Sequence, residues 1–512
     1  MTVVVGTREA LSCDDVVAVA RAAERVELAP EAPERIAAAR SLVERLVGGE
    51  HSVYGLNTGL GDLSQVRVPD EDLVTLQRNL VESHAAGVGE PLPVEVVRAM
   101  MLLLANSLAQ GYSGVRPLVV EHVIELLNRG LVPVVPSRGS VGSSGDLAPL
   151  AHLARGLCGE GELVVDGKRQ PADAALRDAG LEPLELTVKE GLALVNGTHL
   201  MAGTAALLVH DTRRLLDAAE LAAALSLDVL LCSLTPMDDR IHALRRRTEQ
   251  RRVATRVRAL VTGSELLASH SGCGRVQDPY TLRCIPQVLG AAAEGLAYVE
   301  SALAPELGAV TDNPLCFPEE GDVLSGGNFH GQPLSLALDV LAIVVAEIAA
   351  FSERRSFRLL ADAGHERALP PFLSRRPGLE SGMMILQYVA AALVAENQVL
   401  AHPAGTGSLP TSGGQEDFNS MGATAALKAQ QSVANGLRVV AIELLCAAQA
   451  LDLRRPLRST AALEELHRCV RELSPAYDTD RSLSAEIELV AEAIAAGAFG
   501  NIAAHEHRLE VA

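Results

Sequence analysis

From about residue 202 onward the chain repeats one pattern: long stretches rich in Ala and Leu at helical spacing, cut by loops of Gly, Pro, Ser or Asn. The stretches cover 202–234, 243–263, 284–304, 333–357, 379–399 and 420–452. The first, as a helix rising 1.5 Å per residue, would be about 45 Å long. Such helices bury their apolar stripes only against one another, so the pattern predicts a mainly α fold built on a long up-and-down bundle of antiparallel helices. Hydrophobic residues make up 48% of the chain, aromatics only 3%, and Trp is absent. The core is therefore aliphatic, which favours helices over sheets. The most apolar long segment, 334–351, is interrupted by Asp339 and Glu347, and reads as a buried bundle helix rather than a membrane span.

The N-terminal part is less regular. Val3–Val5 reads as a short strand, and Ser12 with Asp15 three residues later as a helix N-cap with an acidic first turn. Helical patterns follow at 14–24, 32–47, 70–84, 93–111 and 115–129. Between Leu131 and Gly145 repeated Pro and Gly forbid a regular helix, and a helix restarts near Asp146. Residues 163–170, with Asp166-Gly167 at the turn, read as a small hairpin. The 512 residues suggest about three domains on length alone. The pattern divides them into an N-terminal region at 1–201, a central long-helix bundle at 202–456 and shorter helices at 457–512.

A formal net charge of −20 argues against a nucleic-acid partner, since phosphate binding needs clustered Lys and Arg. No pair of the eight cysteines has CxxC spacing, so no metal site is expected. Scattered cysteines and an N-terminus without a basic, apolar signal pattern predict a cytoplasmic protein with no membrane association.

The informative residues are polar clusters at the ends of helical segments: YGLNTG, SVGSSGDLAP, VNGTH, QDPYTLRC, TDNP, GGNFHGQP and SGGQEDFNS. Loops carried on a rigid helical scaffold are where sites tend to be built. Read alone, Arg138–His152 is a glycine-rich turn in which Ser144 or Asp146 caps the following helix.

Together these clusters resemble the aromatic amino acid lyases, the family that includes histidine, phenylalanine and tyrosine ammonia-lyases. The resemblance runs in order through YGLNTG (54–59), LQRNLVESHAAGVGEPL (76–92), EGLALVNGTH (190–199), QDPYTLRCIPQ (277–287), TDNPL (311–315), SGGNFHGQP (325–333), SERR (352–355) and SGGQEDFNSMG (412–422). It implies a fold like that of the fumarase and aspartase superfamily, with a cofactor-bearing N-terminal half. It also implies a homotetramer whose active sites combine loops from several subunits.

In that family an Ala-Ser-Gly triad cyclises to 4-methylideneimidazole-5-one. Here the triad is Ser143-Ser144-Gly145. The amide nitrogen of Gly145 would attack the carbonyl carbon of Ser143 to close the ring, and Ser144 would lose its hydroxyl as water. Ser143 contributes only backbone atoms to the ring, so Ser in place of Ala permits closure. Gly145 suits the compressed turn because it has no side chain.

The resemblance assigns Tyr54 as the base for the substrate β-proton. A phenol near pKa 10 is a weak base at neutral pH, so nearby positive charge or helix N-termini are expected to favour the phenolate. Arg283 is the expected bidentate clamp for the substrate carboxylate. Asn196 is expected to meet the carboxylate and the cofactor carbonyl, Tyr280 to sit on a loop over the site, and Phe329 to pack on the ring. Gln277 is a further hydrogen-bonding candidate. Ser83-His84 and Glu416 point to histidine as substrate and trans-urocanate as product. His84 is a partner for the imidazole, and the Glu416 carboxylate favours an N–H over an apolar ring. A lone His at a helix end is also commonly satisfied within its own helix. Phe418 after Glu416-Asp417, His199, and Leu60-Gly61-Asp62 depart from the histidine-lyase pattern and leave open a tyrosine or phenylalanine lyase or a 2,3-aminomutase. A non-catalytic helical scaffold is the alternative of another class.

Overall fold

A computed structural model describes residues 2–47, 49, 52–270, 276–361 and 369–502; Cys273 and part of the QDPYTLRC-containing loop lie outside them. The chain forms two compact units. One comprises Met1–His210, Val299–Asp339 and Pro403–Leu427, the other Asp211–Tyr298, Val340–His402 and Lys428–Ala512.

The first unit is organised around the helix Val94–Ala109, in which every residue from Val96 onward is buried. A helix apolar on all sides belongs in a core. Its one arginine, Arg98, is accommodated by donating to the Val19 and Leu127 carbonyls. The predicted N-terminal strand is Thr2–Val5, paired in parallel with Arg25–Leu28. Ser12 and Asp15 form a full capping box on the helix Cys13–Ala22, which satisfies two backbone donors reciprocally. The predicted hairpin is Glu162–Val165 with Lys168–Pro171, and Val132–Pro133 adds a third strand. Pro136–Arg138 then pairs with Val88–Pro91, which leads the chain into the Gly139–Gly145 loop.

Asp146 does not cap the helix that follows it, Leu147–Leu157. Its Oδ2 instead accepts the N–H groups of Leu200 and Met201, at 3.0 and 3.2 Å. These open the 31-residue helix His199–Val229. The reason is geometric: a helix N-terminus leaves its first N–H groups unpaired, and whichever carboxylate lies in front of them takes them.

In the second unit three long helices meet. They are the continuations of His199–Val229, Gln332–Ala361 and Gly422–Arg454. A Cβ on Gly436 would lie 2.9 Å from Val345 and 3.0 Å from Leu215, so the missing side chain lets the three backbones approach. Further along the same helices, the carboxylate of Glu443 is fully enclosed. It receives Arg355 Nε and Nη2 at 2.6 and 2.7 Å and the hydroxyls of Ser226 and Ser352 at 2.7 and 2.6 Å. Arg355 and Ser352 belong to the SERR cluster. The helix Met384–Leu400 runs the other way against Gly422–Arg454: Asn397 meets Ser432 and Asn435, while Lys428 reaches the His402 carbonyl. Successive long helices thus alternate in direction, as expected of the bundle.

One expectation needs correction. The predicted helix at 243–263 is two, Asp239–Arg245 and Thr248–Val261, because Arg246 turns left-handed at φ 61°. Gln332–Ala361 is long and apolar enough to cross a membrane by length and composition. Its Asp339 nevertheless holds the Ala404 and Gly405 N–H groups at 2.9 and 2.7 Å, which marks a helix built into a protein core.

Removing one partner of a buried pair strands the other charge. Glu443→Ala is therefore expected to lower the unfolding free energy by about 3–5 kcal/mol, read as a fall in urea midpoint at unchanged slope.

Candidate active site

The site begins with the Gly139–Gly145 loop. Gly145 has φ +71°, and a Cβ there would fall 2.2 Å from the Gly197 carbonyl oxygen. Only glycine allows the two backbones to form the bridge that joins them. Asp146 N donates to the same Gly197 oxygen at 2.7 Å. The opposite side of the loop is clamped by the Asn419–Gly422 segment: Ser420 N donates to Ser143 Oγ at 2.6 Å, Ser420 Oγ to the Gly142 carbonyl at 2.7 Å, and Met421 N to the Val141 carbonyl at 2.8 Å. The Ser143 hydroxyl is thus occupied, and the Ser144 side chain is left facing a cavity of about 720 Å³.

Ser144 is held at both ends. Its Oγ donates to Glu416 Oε1 at 2.7 Å, and its carbonyl accepts from Asn196 Nδ2 at 2.8 Å. Glu416 in turn takes the Thr411 hydroxyl on Oε2 at 2.8 Å. Asn419, fully buried, ties that loop to the Leu409 carbonyl at 2.6 Å. Asn196 follows the helix Glu190–Val195 in extended conformation. Its amide oxygen is buried with no hydrogen-bond partner, an acceptor left open in the cavity lining.

Tyr54 lines the same cavity, and its hydroxyl oxygen lies 3.5 Å from the Gly61 N–H. Burial, the largest influence, raises the phenol above its ordinary value; the Gly61 N–H lowers it, and the Glu416 carboxylate raises it again. The cationic neighbour expected from the sequence is not among these influences, and the acidic one works in the opposite direction. Phe329 and His330 complete another wall with Asn313 and Phe418. The His330 ring stacks on Phe418 at 6.2 Å and 15°, and its Nε2 donates to the Phe418 carbonyl at 3.1 Å.

Ser83 and His84 are in the same unit but are not among the residues lining this cavity. His84 Nδ1 lies 2.9 Å from the Leu80 carbonyl, and Ser83 Oγ donates to that carbonyl at 3.2 Å. Both side chains are satisfied within their own helix. Gln277, Tyr280 and Arg283 belong to the second unit. Tyr280 and Arg283 bound a single-turn helix, with the guanidinium 4.5 Å over the exposed tyrosine ring. Arg283 Nε is buried with no hydrogen-bond partner, and Gln277 is exposed.

Sequence reasoning passed over several residues. Lys189 and Asp312, both buried, pair at 2.7 Å, and Asn313 Oδ1 takes the Gly326 N–H at 2.7 Å. Together they fix the TDNP loop beneath the cavity wall. Asp146 was read as a cap alone. Burial pushes its carboxyl up to about 7, against the hydrogen bonds from Met201, Ser140 and Leu200. His199, beside Gly197, is pushed down to about 4 by burial. The signal for Asp312 and Asn313 was the TDNP cluster itself, an acid and an amide conspicuous in an aliphatic chain.

The match to known proteins is extensive. A sequence model of the aromatic amino acid lyases matches residues 11–472. The chain belongs to the aromatic amino acid lyase family. It is 53% identical over 500 residues to a histidine ammonia-lyase of Anaeromyxobacter dehalogenans, covering 96% of this chain and 98% of that one. The crystal structure of histidine ammonia-lyase from Trypanosoma cruzi superposes with a TM-score of 0.90 at 40% identity, covering 98% of this chain and 95% of that one. That of tyrosine aminomutase from Streptomyces globisporus gives 0.92 at 35% identity, covering 99% of each.

Two outcomes follow for the site. Glu416→Gln removes a negative charge that raises the Tyr54 phenol, so Tyr54 should ionise at lower pH in that variant; ultraviolet tyrosinate titration, differenced against Tyr54→Phe, measures the shift. Ser143→Ala should leave the buried Ser420 N–H unpaired and cost about 1–3 kcal/mol, read by urea denaturation.

Proposed function

We propose that this chain eliminates ammonia from L-histidine to give trans-urocanate, using a 4-methylideneimidazole-5-one formed from Ser143-Ser144-Gly145. The observation that carries the reading is Ser144 set in the cavity between Glu416 and Asn196, in a chain half identical over nearly its whole length to histidine ammonia-lyases.

The residues fit the group. Gly145 has no room for a side chain, the Ser143 hydroxyl is turned to Ser420 and out of the ring's way, and Asn196 holds the carbonyl the ring would keep. The group supplies an electrophilic methylene that makes the substrate amine able to leave. Tyr54 takes the β-proton; with its phenol raised by burial and Glu416, activity should climb toward alkaline pH, where the phenolate is populated. Arg283 pairs with the substrate carboxylate through its two-nitrogen fork, and Tyr280 and Gln277 position the substrate. Phe329 packs on the ring. Glu416 accepts from the substrate imidazole; Ser83-His84, which the resemblance assigns to the side-chain pocket, lie outside the cavity lining with their side chains on the Leu80 carbonyl, and the reading does not rest on them.

A homotetramer in the cytoplasm belongs to the same reading. Ile385, Tyr388 and Val399 on Met384–Leu400 are more than half exposed, as expected of an apolar face covered by another subunit. Among the described residues no cysteine is joined in a disulfide, which suits a reducing compartment.

Phe418 in the cavity wall and the likeness to tyrosine aminomutase favour a second reading, action on tyrosine or phenylalanine. Purified protein given each amino acid separately, with the conjugated product followed by ultraviolet absorbance, decides between them. Urocanate from histidine alone is expected. Coumarate, cinnamate or a β-amino acid would support the second reading, and silence from all three would indicate a scaffold.

A further inference from the structure

We propose that Glu416 is the proton-transfer group for the loss of water from Ser144, and that Asn196 carries the charge this step places on the Ser144 carbonyl. The inference rests on the cofactor reading above and adds to it how the group is made. Ser144 has its hydroxyl in place, and two side chains contact it, one at the oxygen that must leave and one at the carbonyl beside the carbon that loses its proton. The Oγ lies 2.7 Å from Glu416 Oε1, and the carbonyl oxygen lies 2.8 Å from Asn196 Nδ2.

Losing water from Ser144 breaks the Cα–H and Cβ–Oγ bonds and forms Cα=Cβ. The Cα–H electron pair becomes the new π bond, and the Cβ–Oγ pair departs with oxygen. Hydroxide leaves poorly, so Oγ needs a proton as it goes. The Glu416 carboxylate takes the proton from Cα and delivers it to Oγ, so that water leaves and the carboxylate is regenerated. No oxidant is needed, and the net proton count is zero. While the proton is off Cα, negative charge spreads onto the adjacent Ser144 oxygen, where the Asn196 N–H already points; a donor fixed at developing charge lowers the barrier without reorganising.

Both groups are held for this task. Thr411 Oγ1 binds the second oxygen of Glu416 at 2.8 Å, which leaves Oε1 for Ser144. Asn196 is 5% exposed, and its orientation leaves its amide oxygen unpaired while its NH₂ faces the Ser144 carbonyl. An amide that gives up one bond to keep another is positioned by the loop rather than by its own best pairing. Ring closure itself joins Gly145 N to the Ser143 carbonyl carbon, whereas the Glu416 carboxylate bonds to the Ser144 and Thr411 hydroxyls. Loss of Glu416 should therefore slow the second dehydration and spare the first.

The test is the mass of the peptide spanning Arg138–His152, sampled over time from cell-free synthesis of the full chain and quenched in denaturant. Wild type is expected to lose two waters. Glu416→Gln is expected to lose one at the normal rate and the second roughly 100-fold more slowly, with Glu416→Asp in between. Loss of both waters from Glu416→Gln at the wild-type rate overturns the proposal while leaving the cofactor reading intact; wild type that keeps both waters overturns both. If far-ultraviolet circular dichroism shows Glu416→Gln unfolded, the folded Glu416→Asp decides: slowed second loss supports the proposal, and an unchanged rate refutes it.

Discussion

The carboxylate of Asp146 joins the two backbones on which everything in the first unit depends. One oxygen holds the opening N–H groups of the helix His199–Val229, and the other takes the hydroxyl of Ser140, which itself receives Gly142 N–H. The adjacent Gly145 pairs with Gly197 in the gap this creates. Burial penalises the charge, and the helix N-terminus favours it. If that link is moved, Asn196 loses the Ser144 carbonyl and the loop loses its compressed turn.

Three further ion pairs, each with at least one buried partner, work in the same manner. Lys189–Asp312 sits under the TDNP loop, Arg116–Glu190 at the start of the helix bearing Asn196, and Arg355–Glu443 among three long helices. Each costs desolvation that a hydrophobic pair would not. Each also joins segments far apart in the chain at one defined register, in a core otherwise built of interchangeable Ala, Leu and Val. The site thus rests on polar links within an aliphatic scaffold.

Much of this was legible in the sequence where the governing interaction is local. The Ser12 N-cap with Asp15 three residues on is legible in the sequence, and the structure completes it as a capping box; the Asp166-Gly167 hairpin is legible in the same way. The break at Arg246 was not, because nothing in a run of arginines signals a left-handed turn. His84 was given two readings, and its contact with Leu80 is the local one. For Tyr54 the sequence points to a cation or a helix N-terminus beside the phenol; the groups that act on it here are the Gly61 N–H and the Glu416 carboxylate, and the nearness of Glu416 is not available from spacing.

The amino-acid sequence by itself determined the helical class, through apolar periodicity, and singled out Ser144, Gly145, Tyr54, Asn196 and Glu416 as candidate site residues, through functional groups set in motifs that resemble those of a known family. It did so because periodicity and functional-group type are properties of residues and their near neighbours. Only the tertiary structure decided which groups touch. Ser144 meets Glu416 across 272 residues, Ser143 meets Ser420 across 277, and Asp146 caps a helix 54 residues away rather than its own. Those pairings are set by how the helices pack and where their unpaired N–H groups fall, which no local pattern encodes.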